Sequence, residues 1–81
     1  MTEKLDIYTD GIHLMVYCEA PLGLLHTFAA NIGLKPEWFQ KHPKHPHYDL
    51  TTRRMFLKAL DAGAEILDTK MLITVCKRNN D

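Results

Sequence analysis

Apolar and polar side chains alternate through residues 12–18. Ile12, Leu14, Val16 and Cys18 share one side, and His13, Met15 and Tyr17 the other. That two-residue repeat is the signature of a strand. KLDIYT, just before it, reads as a second strand. Asp10-Gly11 joins the two, and glycine tolerates the positive φ that tight turns demand, so the chain is expected to open with a β-hairpin. The second run is apolar on both sides. It therefore predicts a central strand, or one whose second face meets a partner.

The repeat then lengthens. In APLGLLHTFAANIGL, Leu22, Leu25, Phe28, Ala29 and Ile32 recur at helical spacing, with His26 at the edge of the stripe. Pro21 suits a first helical position and Gly33 a left-handed C-terminal cap. A short helix is expected from Pro36, with Trp38 and Phe39 assigned to the core. Pro43 and Pro46 then forbid regular structure. Thr51 is the expected cap of a helix TRRMFLKALDA that ends at Gly63 and turns Met55, Phe56, Ala59 and Leu60 inward. Glu65 to Leu67 reads as a short strand. Asp68 or Thr69 then caps a last helix carrying Met71, Leu72 and Val75, although MLITVC is also β-friendly. These elements predict an α+β fold in one domain, residues 1–81. Its small sheet is led by an N-terminal β-hairpin and packed by three to four helices.

Eighty-one residues make one domain at most, and 46% of them hydrophobic is enough for a real core. A chain this short buries only about 60% of its unfolded surface, which makes a homo-oligomer a reasonable expectation. There is no run of the ~20 apolar residues that a membrane span needs, and the polar N-terminus does not read as a signal peptide. A cytoplasmic protein is expected. Cys18 and Cys76 sit in apolar contexts and read as reduced, buried thiols.

Net charge is zero but unevenly spread. Residues 1–34 hold one lysine against four acids, residues 35–58 six basic against two acidic residues, and residues 59–81 come to −1. The basic block contains QKHPKHPHYDLTTRR, residues 40–54, with three histidines, a tyrosine, an aspartate and two arginines. Three chemistries compete for it. His42, His45 and His47, joined by Asp49, are ligand types for zinc or another divalent metal, although no recognised zinc spacing is present. His26, His47 and Asp49 could serve as acid–base groups. Finally, Arg53 and Arg54 in the first turn of a capped helix, with His26, His47 and Tyr48 as further donors, suit a phosphate. The plain structural alternative is a proline-stiffened connection whose Asp49 bonds to nearby backbone.

The stretch LLHTFAANIGLKPEWFQKHPKHPHYDLTTRRMFLKALDAGA resembles a small bacterial and tailed-phage family, the domain of unknown function four-zero-three-one. The shared pattern falls on Leu25, His26, Phe28, Ala29, Ile32, Gly33 and Leu34, on Trp38 and Phe39, on His47 to Thr51, on Arg53 and Arg54, and on Gly63 and Ala64. It spans about half of the chain. Members often open with an aspartate-rich strand such as Val-Tyr-Val-Asp-Asp, where this chain has DIYTDGIHLMVYCEA. The resemblance implies a prokaryotic or phage protein of the cytoplasm and marks His26, His47, Tyr48, Asp49 and Arg54 as part of a pattern. It supplies no substrate. The leading expectation is therefore an accessory protein that binds a phosphate-bearing ligand, a nucleotide or nucleic acid. Two others stand beside it: a metal- or histidine-dependent phosphoesterase or nuclease, and a protein–protein module that inhibits a host factor.

Overall fold

The computed structural model describes residues 5–78. The hairpin forms as expected: β1 (Ile7–Thr9) pairs antiparallel with β2 (His13–Val16), in a register of Ile7 against Val16 and Thr9 against Leu14. The Asp10 carboxylate shapes the turn by accepting the backbone N–H groups of Ile12 and His13, while Gly11 takes a φ of 101°. Then follow α1 (Leu22–Asn31), a 3-10 turn (Pro36–Trp38), β3 (Phe39–Gln40), β4 (His47–Asp49), α2 (Arg53–Asp61), β5 (Glu65–Ile66) and α3 (Thr69–Cys76). The five strands lie in the order β3-β4-β2-β1-β5, with β5 parallel to β1 and every other pair antiparallel. The apolar second run is thus a central strand.

Alternation along these strands makes two cores. Ile7, Leu14, Val16 and Tyr48 meet Leu25, Phe28 and Ala29 of α1, the Ile32 that caps it, and Ala59 of α2. On the opposite face Tyr8 and Met15 meet Leu72 and Cys76 of α3. Burial pushes the Cys76 thiol up to about 12, so it stays protonated and apolar in that core. MLITVC is helical because Asp68 accepts the Met71 N–H as an N-cap, and because its helical repeat, unlike a strand's, buries Leu72 and Cys76 together.

Several sequence expectations need correction. Pro21 is the N-cap of α1 rather than its first residue. The cap of α2 is Thr52, whose side chain accepts the Met55 N–H, one residue beyond Thr51. Trp38 is not core: it is 43% exposed, with the Lys35 ammonium 5.6 Å from its ring. Phe39 alone turns inward, because the strand that begins there reverses direction at each residue. Ile12, expected on the same strand face as Leu14 and Val16, lies in the turn before β2 and is exposed. No helix among the described residues is long and apolar enough to cross a membrane.

Candidate functional site

The six residues 41–46 between β3 and β4 are irregular, as two prolines require. They are nevertheless held. His42 Nδ1 accepts the backbone N–H groups of Lys44 and His45 at 3.2 and 3.1 Å. The Lys44 carbonyl accepts the Arg78 N–H at 2.8 Å, and Pro46 is buried.

One side of this loop walls a cleft of about 590 Å³. Leu22, Phe39, Pro43 and Pro46 give it an apolar lining, while Lys41, Arg78, His26 and His42 give it donors; among the described residues no carboxylate lines it. His26 Nδ1 lies 2.8 Å from the Tyr48 hydroxyl. Tyr48 is only 2% exposed, and burial pushes its phenol pKa up, so the hydroxyl keeps its proton. Donating that proton to Nδ1 satisfies the buried O–H and leaves the His26 hydrogen on Nε2. Phe39 packs edge-on to His26 with centroids 4.6 Å apart and holds the imidazole in place. The Arg78 guanidinium donates through Nη2 to the Ala20 carbonyl. Its Nε is buried without a hydrogen-bond partner among the described residues.

The other side of β4 differs. His47 and Asp49 flank Tyr48 in the strand and so point away from that cleft. Asp49 is the cross-strand partner of His13, and one ligand atom from each of His13, His47 and Asp49 lies within 4.8 Å of the others. These are the described residues grouped so that they could hold a metal. His45 lines a recess of about 170 Å³ with His13, His47 and Met15, and burial pushes its imidazole pKa below the ordinary value. Asp10 supports His13 at a distance of 3.0 Å. Burial works to raise the Asp10 pKa. Hydrogen bonds from the His13 backbone and ring, the Ile12 N–H and the Thr69 hydroxyl outweigh it and hold the carboxyl well below the usual carboxylate range.

The residues singled out from the sequence are therefore divided. His26 and Tyr48 meet, as does His42 on the cleft wall. His47 and Asp49 lie on the opposite face, so the trio His26, His47 and Asp49 does not converge. The His42 and His45 rings lie 5.6 Å apart, but of the expected metal trio only His47 belongs to the set whose ligand atoms converge. Arg53 and Arg54 are exposed on α2, beside Leu57, Lys58 and Asp61, and line neither space. Sequence reasoning missed Lys41, Arg78, His13 and Asp10. The one signal for the last two was the hairpin itself, which places a histidine directly after an Asp-Gly turn.

Residues 12–79 match the model of a family described as a protein of unknown function, DUF4031. No curated protein and no solved structure matches the chain.

Proposed function

The chain belongs to the DUF4031 family, whose function is not known, and on that premise we propose that it binds a small phosphate-bearing ligand in the cleft beside His26. One observation carries this reading: a cleft of about 590 Å³ presents Lys41, Arg78, His26 and His42 and, among the described residues, no carboxylate. Positive charge gathered in a concave wall attracts an anion. Phosphate oxygens would take charge-assisted bonds from Lys41 and from Arg78, and a neutral bond from His26 Nε2–H. The apolar lining of Leu22, Phe39, Pro43 and Pro46 suits the ring or sugar carbons of a mononucleotide. The volume falls in the range of roughly 300–1,000 Å³ for small-molecule pockets. A long nucleic acid fits less well, since net charge is zero and binding a polyanion rests on an extended basic surface.

The test is a calorimetric titration with AMP, with adenosine and with inorganic phosphate, at low and at raised salt. AMP is expected to bind, adenosine to bind at least tenfold more weakly, and salt to weaken the AMP complex. Lys41→Ala and Arg78→Ala should each cost about tenfold or more in affinity. AMP binding that survives both changes but is lost in Arg53→Ala would move the anion to α2 and end this reading.

A further inference from the structure

On the face of β4 away from the cleft, we propose a binding site for a divalent transition metal, formed by His13, His47 and Asp49. The site owes nothing to the phosphate reading, because it lies on the other side of the sheet and shares no residue with it.

Strand register builds the set. His47 and Asp49 are two residues apart, so both project from one face, and Asp49 stands directly opposite His13 on β2. Their ligand atoms already lie within 4.8 Å of one another. His47 Nε2 and Asp49 Oδ1 are 3.4 Å apart. Bonds of ~2.1 Å in a tetrahedron place neighbouring ligand atoms about 3.4 Å apart, so this pair needs no movement to share an ion.

The hydrogen bonds fix which nitrogens are free. His47 Nδ1 sits 2.7 Å from the His45 carbonyl oxygen. A carbonyl only accepts, so the proton is on Nδ1 and Nε2 carries a lone pair. His13 Nδ1 sits 3.0 Å from Asp10 Oδ2. That oxygen also accepts the Thr69 hydroxyl at 2.8 Å, so His13 too donates from Nδ1 and leaves Nε2 bare. An imidazole tied back through Nδ1 to a carboxylate or a carbonyl is the usual support of a metal-ligating histidine. In the neutral ring, the His47 lone pair faces the Asp49 carboxylate, acceptor against acceptor. A cation between them relieves that conflict. A proton could serve the pair, but it would leave the His13 nitrogen unused.

A second observation points to the same recess. His45 lines it, and its buried Nε2 has no hydrogen-bond partner among the described residues. Two imidazole nitrogens and one carboxylate, without thiolate, select zinc, iron(II), manganese or cobalt over calcium and magnesium. Three protein ligands leave at least one position for water, for His45 or for a ligand from outside, and the Asp49 side chain is 45% exposed, so solvent reaches the site.

The experiment is calorimetric titration of untagged, chelator-treated protein with Zn²⁺, repeated with Co²⁺ while recording its visible absorption. One equivalent should bind, and cobalt should give the intense visible bands of a low-coordinate site. His13→Ala and His47→Ala should each weaken binding at least tenfold and leave AMP affinity unchanged, whereas Arg54→Ala should leave zinc binding unchanged. Should His47→Ala fail to fold, Asp49→Asn keeps the shape and must also weaken binding. No uptake by the folded protein, or uptake indifferent to His13 and Asp49 but lost with His42, would overturn the proposal.

Discussion

Two neighbouring regions share one strand and differ in kind. On one side of β4, Tyr48 is sealed in a core and holds His26 at the rim of a cleft lined by cations. On the other, His47 and Asp49 stand part-exposed beside His13, with lone pairs rather than N–H groups turned toward one another. The first arrangement offers protons and positive charge, and the second offers electron pairs. Three successive residues, His47, Tyr48 and Asp49, separate these chemistries only because a strand sends alternate side chains to opposite faces. Proximity in sequence is therefore a poor guide to a shared site when the segment is extended.

The strongest way to break the contrast is to remove what both sides stand on. Tyr48→Ala should destabilise the fold by about 3–5 kcal/mol, as read by urea unfolding, and should abolish AMP and zinc binding together. Asp10→Asn strikes one side only. It should cost on the order of 1–3 kcal/mol at neutral pH, since it weakens the acceptor at the centre of the hairpin turn. Because the folded Asp10 pKa lies below the ordinary 3.8, its stabilisation is whole above about pH 5, begins to drain away as pH drops below 3.8 and is gone only once pH falls through the lower folded pKa. The gap between wild type and variant should close with it, and a gap that widened in acid would refute the charge assignment. Tyr48→Phe is the gentlest probe. It should cost about 0.5–1.5 kcal/mol and weaken AMP severalfold by freeing His26, while zinc titrates as before.

How much of this was legible in the sequence depended on the length of each repeat. The hairpin, α1 and α2 were readable because their patterns run for a turn or more beside clear punctuation, Asp10-Gly11 and Gly33 among them. β3 and β4 were not foreseen. They have two and three residues, too few for alternation to register, and prolines precede β4. Trp38 was misjudged because its size argued for burial, whereas the 3-10 turn that carries it lies at the sheet's edge. His26 and Tyr48 were both singled out, yet their contact had to wait for the fold. The His13–Asp49 pairing was illegible for a stronger reason: only the register of β2 against β4 creates it.

The proline-stiffened loop has a thermodynamic consequence. Pro43 and Pro46 remove backbone freedom at two of the six positions between β3 and β4, and His42 ties down two more N–H groups. The conformational entropy that a slack, glycine-rich loop would surrender on meeting its ligand has here been surrendered during folding. Whatever settles against Pro43 or Pro46 meets a wall already in shape, and its complex should form with a small entropic penalty from the chain.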